Sequence, residues 1–391
     1  MTAVAPTRRF APGQGLVCLV WLSAILLCLP RVASASAGFL LAKDGTLVVG
    51  RNLDATAFTP GALMVNKRGI RKESRSWHEL AYGHPSSHPH LTWVSKYGSL
   101  TLNTLCRDFI DSGMNEAGLV IQEMSLVENR YPEDASKPCF FMMLWMQYVL
   151  DCFATVDEVL ASAREVALDG WNWHFFVADA SGQAAVIEFI DGRPVLTAGP
   201  DLPVAALCDE RYAVELQRLR QFAGFGGERP VLLKNDARGR DAATPATDVG
   251  FVRAATLLQR GVASPLAPTD YGFAVLDELA RDGTRWSCVF DLTGRKLRYR
   301  TRTEPAVKEV ALADFDFASE GPALMLDIHG AADPSPAAFT AYSPELNRAY
   351  LLKKIAGWET VFSSNGATLD GALERLAGYA ESTAPAGPAG R

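Results

Sequence analysis

An excess of either charge is missing from this 391-residue chain, where 38 Lys and Arg stand against 44 Asp and Glu for a net charge of −6. Without a basic surplus there is no electrostatic footprint for nucleic acid or for an anionic membrane. Cysteine pairs are missing too. Of seven cysteines, Cys18 and Cys28 fall before residue 35, leaving Cys106, Cys139, Cys152, Cys208 and Cys288. An odd set without CxxC spacing argues against a zinc site and a disulfide framework. One or two bridges stay open, and most of the five read as small core residues. Internal repeats and a clear linker are absent as well. What remains is an ordinary globular balance, 48% apolar and 21% charged, enough to bury a substantial core.

The N-terminus departs from that balance. Arg8 and Arg9 precede an apolar run, Leu16 to Leu29, too short to span a bilayer comfortably. The arginine pair hints at twin-arginine export, but Phe10 directly after it makes a poor match. Next comes "RVASASAGFLLAKDG", with two overlapping small-residue cleavage triplets, Ala33-Ser34-Ala35 and Ala35-Ser36-Ala37. The expectation is a signal peptide over residues 1–35, an exported (periplasmic or secreted) product, and no integral membrane role after cleavage. An uncleaved anchor is the alternative. Cleavage after Ala35 leaves Ser36 first, carrying a hydroxyl and a free α-amine. With a pKa of roughly 7.7–8.0, that amine serves as the general base for its own hydroxyl. Such a terminus needs a carboxylate to orient it.

"GFLLAKDGTLVVGRNLD" reads as two strands turned at Asp44-Gly45, a hairpin that returns Arg51 and Asp54 towards Ser36. "LMVNKRGI" and "LTWVSKYGSLTLN" continue the strands around a His- and Pro-rich loop, and "GMNEAGLVIQEMSLV" turns at Asn115 to Gly118. From Phe140 the period becomes helical, and Thr155 with Glu158 fits a capping box that starts a second helix. A strand meander follows, turned at Ser181-Gly182 and Asp191-Gly192. Gly224 to Asp248 reads as a long loop, then "FVRAATLLQRGV" and "DYGFAVLDELAR" as helices, and "WSCVFDLTGRKLRYRTRT" as a hairpin turned at Thr293-Gly294. Residues 381–391, "ESTAPAGPAGR", read as a disordered tail. Strands flanking a central helical block predict one α+β domain over residues 36–380.

The segments "FLLAKDGTLVVGRNLD", "LMVNKRGI", "WVSKYGSLTLN", "GMNEAGLVIQEM", "FATVDEVLASA", "AAVIEFIDGRPVLTAGPDLPV", "FVRAA" and "WSCVFDLTGRKLRYRTRT" follow one another in the order of a known family. Together they resemble the choloylglycine hydrolase and penicillin V acylase family, linear-amide hydrolases with an N-terminal nucleophile. The resemblance implies a four-layer αββα sandwich, no cofactor, no metal, and homotetramers as the common assembly. Ser36 stands where the family has cysteine, three residues before Phe39. The family's G-R-N-x-D is intact as Gly50-Arg51-Asn52-Leu53-Asp54, which gives Arg51 a place beside the nucleophile and Asp54 a place on its amine. Where the family has an oxyanion-donating asparagine, this chain has Asp209 after Leu207-Cys208. Where it has an arginine before F-V-R, this chain has Gly250, with Arg253 one helical turn further on. A backbone N–H near Ser125 is the second oxyanion donor.

An ionised Asp209 only accepts hydrogen bonds and repels an oxyanion, whereas a protonated one donates if its pKa is strongly raised. Two readings therefore stand: an exported hydrolase of linear amides in N-acyl compounds (conjugated bile salts, penicillin V-like or acyl-lactone substrates), or an inactive relative that binds an acyl ligand. Other groups receive plainer readings. His84, His88 and His90 are loop histidines, Asp209-Glu210 reads alternatively as a solvated turn, and Trp171, Trp173 and His174 read as packing residues. Lys67-Arg68 and Arg71-Lys72 read as a solvated basic loop.

Overall fold

The computed structural model describes residues 36–55, 59–234, 247, 249–330 and 333–386. The expected signal peptide over residues 1–35, part of the expected loop from Gly224 to Asp248 and the last five residues lie outside these. β1 (Ala37–Lys43) and β2 (Thr46–Asp54) form the first hairpin. Its turn residues Asp44 and Gly45 have φ of 51° and 75°, the pair of left-handed positions that a two-residue hairpin turn demands. β3 (Ala62–Asn66), β4 (Ile70–Glu73), a single helical turn at His78–Tyr82, β5 (Thr92–Val94) and β6 (Ser99–Asn103) follow. β7 (Ser112–Asn115) and β8 (Val120–Ser125) flank the turn expected at Asn115 to Gly118.

β9 (Cys139–Phe141) leads into α1 (Met142–Cys152) and α2 (Val156–Ser162). The break between the helices is the capping box. Thr155 Oγ1 accepts the Glu158 N–H at 3.3 Å and Glu158 Oε2 accepts the Thr155 N–H at 3.0 Å, so orphan N–H groups at the second helix's start are satisfied. β10 (Ala167–Asp169) precedes the meander β11 (Trp173–Ala178), β12 (Ala184–Ile190) and β13 (Arg193–Ala198). Then come β14 (Ala206–Leu207), α3 (Tyr212–Leu219), α4 (Gly250–Gly261), α5 (Pro268–Leu279), β15 (Thr284–Asp291), β16 (Lys296–Thr301), β17 (Lys308–Ala311), β18 (Leu324–Asp327) and β19 (Thr340–Ala341). The chain closes with α6 (Pro344–Ile355), α7 (Glu359–Ser363), α8 (Leu369–Ser382) and β20 (Ala384–Pro385).

Two large sheets result, ordered β14-β1-β2-β15-β16-β17 and β13-β12-β11-β8-β7-β6-β3-β18-β19. One core cluster joins Val49, Val289 and Phe290 of the first sheet to Leu100, Met114 and Phe176 of the second, and it reaches Phe251 and Leu276 on α4 and α5. A second cluster packs Phe175, Val177 and Ile187 against Trp145 on α1, Val159 on α2 and Leu376 on α8. Helices thus cover both outer faces, which is the αββα sandwich. The sheets approach closely at the start of β1. A Cβ on Gly38 would lie 2.1 Å from Gln122 Nε2, so only glycine fits two residues after Ser36.

Two expectations change and one open point closes. The tail is not disordered from residue 381: α8 runs to Ser382, Ala384 and Pro385 pair with Arg71 and Ile70, and Ala386 N–H donates to Gly69 at 2.7 Å. Proline is tolerated there because β20 is an edge strand. Half of the basic run is not solvated either: Arg68 and Arg71 are exposed, but the two lysines are not. Lys72 is buried between Asp108 (2.7 Å) and Asp151 (2.9 Å), and Lys67 is buried with Nζ on the Asp316 carbonyl at 2.5 Å. Finally, the five cysteines after residue 35 are unpaired, and all but Cys152 are buried. Among the described residues no helix is long and apolar enough to cross a membrane.

Candidate active site

Ser36 sits immediately before β1 and is only 6% exposed. It lines a cavity of about 230 Å³ together with Asp54, Glu123, Ser125, Trp171 and Trp358. The hairpin register fixes one neighbour. Ala37 pairs with Asn52, so Ser36 comes level with Leu53, and the Asp54 N–H donates to Ser36 Oγ at 3.5 Å. The β2–β15 ladder slips at Arg285, between the pairs Thr284–Asp54 and Trp286–Leu53. Beyond this bulge both Leu53 and Asp54 line the cavity. Thr284 Oγ1 donates to Asp54 Oδ1 at 2.5 Å. Burial pushes the Asp54 carboxyl up to about 6, held back by the Thr284 hydrogen bond and by Arg281, Arg51 and Lys234.

Arg51 is fully buried and crosses to the other sheet. It pairs with Glu123 on β8, and its Nη1 donates to the Asp111 carbonyl at 2.5 Å. Burial raises the Glu123 and Asp111 carboxyls while Arg51 opposes it. Lys354, on α6, lines the same cavity; burial lowers its ammonium pKa against the pull of Asp111 and Glu123.

Asp209 reaches the site from the other flank. β14 pairs Leu207 with Gly38 and Ala206 with Phe39, and Asp209 lies in the bend two residues beyond Leu207. The buried His174 ring anchors this strand through Nε2 to the Cys208 carbonyl at 2.7 Å. Asp209 Oδ1 is buried without a hydrogen-bond partner. Burial, with Asp54, Glu215 and Glu123 adding to it and Arg281 opposing, pushes the Asp209 carboxyl up to about 9. The neighbouring Glu210 instead pairs at the surface with Arg218 at 3.2 Å, so the two adjacent acids do not form one solvated turn. At neutral pH, Asp209 is therefore a protonated acid with a hydrogen to donate.

The fold thus brings Ser36, Asp54 and Ser125 to one cavity, with Arg51 paired to Glu123 in its lining and Asp209 close enough to Asp54 and Glu123 to feel their charge. Gly250 opens α4 beside Cys208, while Arg253 turns away to Glu278, Nη1 to Oε1 3.6 Å. Sequence reasoning missed the cavity's aromatic wall. Trp171 and Trp173, read as packing residues, line it with Trp358, and Trp171 contacts both partners at centroid distances of 5.1 and 6.1 Å. No sequence motif joins residues 171 and 358; only the α6–α7 connection places Trp358 there. The loop histidines serve elsewhere, His90 on Glu79 at 2.9 Å and His88 on the Lys137 carbonyl at 3.0 Å.

Comparison with known proteins agrees with this fold. The family model for linear amide C-N hydrolases, choloylglycine hydrolase family, matches residues 38–228. The penicillin V acylase of Pectobacterium atrosepticum is 27% identical over 275 residues, 59% of this chain and 70% of that protein. Among solved structures, penicillin V acylase from Agrobacterium tumefaciens superposes with a TM-score of 0.63 at 25% identity, covering 79% of this chain and 98% of the other. A mutant of the conjugated bile acid hydrolase from Clostridium perfringens matches in fold, with a TM-score of 0.56 at 16% identity over 79% of this chain and 96% of its own.

Proposed function

We propose that this relative of the choloylglycine hydrolase and penicillin V acylase family is an exported hydrolase of linear amides, with Ser36 as nucleophile after removal of residues 1–35. The observation carrying this reading is the buried Ser36 hydroxyl beside Asp54, at the foot of a cavity walled by tryptophans. In the uncleaved chain the Ser36 nitrogen is an amide and cannot take a proton. Cleavage makes it an amine of near-neutral pKa. The amine takes the hydroxyl proton as Oγ attacks the acyl carbonyl, and returns it to the departing amine. Asp54 orients the amine, and Arg51 fixes the strand between the sheets. The oxyanion is met by a backbone N–H near Ser125 and by the neutral Asp209 acid. Water then releases the acyl group from Ser36. Three tryptophans suit an apolar, flat-sided acyl group; bile-salt conjugates, penicillin V-like amides and acyl-lactones are the substrate classes to test.

The second reading, an acyl-binding protein without turnover, draws on Asp209 standing where an amide donor is expected. Mass spectrometry of the mature N-terminus comes first, and a start at any residue other than Ser36 sinks the nucleophile. Hydrolysis of penicillin V and a glycine-conjugated bile salt is then compared for wild type, Ser36→Ala and Ser36→Cys. Turnover in wild type and Ser36→Cys but not Ser36→Ala is expected. Equal rates in wild type and Ser36→Ala favour the binding reading.

A further inference from the structure

We propose that the turn Arg281-Asp282-Gly283-Thr284 clamps the Asp54 carboxylate, with Arg281 as a positioning residue supplying the cation that position 250 lacks. This rests on reading Ser36 and Asp54 as the reacting pair. The turn is fastened to Asp54 by a continuous set of bonds. Thr284 Oγ1 accepts the Arg281 N–H at 2.9 Å and donates to Asp54 Oδ1 at 2.5 Å. One residue along, the Ala55 N–H donates to the Gly283 carbonyl at 2.9 Å, and Arg285 Nε donates to the Ala55 carbonyl at 2.8 Å.

Arg281 is an exposed residue, yet its guanidinium end reaches the start of α4. A Cβ built on Gly250 would meet Arg281 Nη2 at 3.9 Å and Cys208 Sγ at 3.6 Å, with nothing closer. The space that a side chain at 250 would enter is thus bordered by the Arg281 guanidinium. Arg253, the sequence's other candidate for this charge, is committed to Glu278. Three cations face Asp54: Arg51 from its own strand, Lys234 from the segment after α3, and Arg281 from the turn. Among them Arg281 exerts the largest pull, and it also leads the cations acting on Asp209. Asp209 and the mature amine of Ser36 are further titratable neighbours, and Asp111, Glu123 and Lys354 line the same cavity from the other side of the site. Asp209 is protonated near neutrality and leaves Asp54 as the acid to be kept charged. An ionised Asp54 accepts the hydrogen bond that orients the Ser36 amine; a protonated one competes as a donor.

The test compares wild type, Arg281→Leu, Arg281→Lys, and a relocation pair carrying Gly250→Arg with Arg281→Gly. The pH dependence of kcat/KM on penicillin V is followed, with ¹³C-carboxyl NMR titration of Asp54 in a Ser36→Ala background. Loss of the cation moves the Asp54 titration and the acid limb of kcat/KM upward together. The rate should fall about fivefold at pH 6 and less than twofold at pH 8, in kcat rather than KM. Arg281→Lys retains the wild-type profile, and the relocated arginine restores it. An Asp54 titration unmoved in Arg281→Leu overturns the proposal, as does a uniform loss at every pH. If Asp54 shifts as expected while no variant hydrolyses amide, the clamp stands and the catalytic reading of Ser36 fails.

Discussion

Replacing Asp209 by asparagine separates a neutral donor from a charged intruder. The native carboxyl is pushed up to about 9 from an ordinary 3.8, so between those values the folded chain binds a proton that the unfolded chain releases. At pH 7 the unfolded carboxyl is more than three units past its pKa, and at about 1.4 kcal/mol per unit that is roughly 4 kcal/mol the folded chain forgoes. Partial exposure of Asp209 lets water relax some of this cost, leaving about 2 kcal/mol as the expected effect. The sign follows from linkage. Wild-type stability falls as pH rises from about 4 and levels off above about 9, whereas asparagine has no proton to withhold. Asp209→Asn should therefore match wild type near pH 4.5 and exceed it progressively towards pH 9, read from urea unfolding across that range. Turnover gives the second reading. Both residues are neutral donors at pH 7, so rates there should agree within about threefold; at pH 9.5 wild type alone declines. An oxyanion donor is worth ~10²–10³ in turnover. A gain of that size at pH 7, or a stability difference that is flat with pH, refutes the protonated acid.

Three further perturbations test how the site is supported. Gly38→Ala places a Cβ against Gln122 Nε2 and should cost ~1–3 kcal/mol in urea unfolding, recovered in part by adding Gln122→Ala. Lys72→Met strands Asp108 and Asp151 as buried charges and should destabilise by ~3–5 kcal/mol. Trp358→Ala removes one wall of the cavity and should raise KM for an aromatic acyl amide about tenfold with little change in kcat, as lost substrate contact requires.

Local chemistry made much of this fold legible. Asp44-Gly45 and Thr155 with Glu158 act within a few residues of themselves, so their turn and capping box can be read directly. Lys72 could not be read that way, because its partners at 108 and 151 are brought to it by α1 and by the loop after β6. The tail misled for a related reason. Its composition is that of an unfolded chain, but α8 delivers Ala384 and Pro385 to the open edge of β4, where two backbone pairings need no particular side chains. Trp171 and Trp173 carry no mark that separates a wall from a core. That distinction is made by Trp358, a residue almost two hundred positions away.

The site itself illustrates how two buried acids constrain each other. Asp54 and Asp209 stand close enough that each raises the cost of ionising the other, and a pair so placed settles its charge unequally. Burial falls harder on Asp209, Oδ1 of which has no donor, while the Thr284 hydroxyl favours charge on Asp54 and Arg281 acts on both acids. The proton therefore resides on Asp209. An asparagine at 209 would be a donor without help from its surroundings, but an aspartic acid is one only through its burial, with the negative charge on Asp54 adding to the effect. The Thr284 hydroxyl on Asp54 then serves both halves of the proposed chemistry at once: by favouring charge on Asp54 it keeps an acceptor for the Ser36 amine, and it leaves the proton on Asp209 as a donor for the oxyanion.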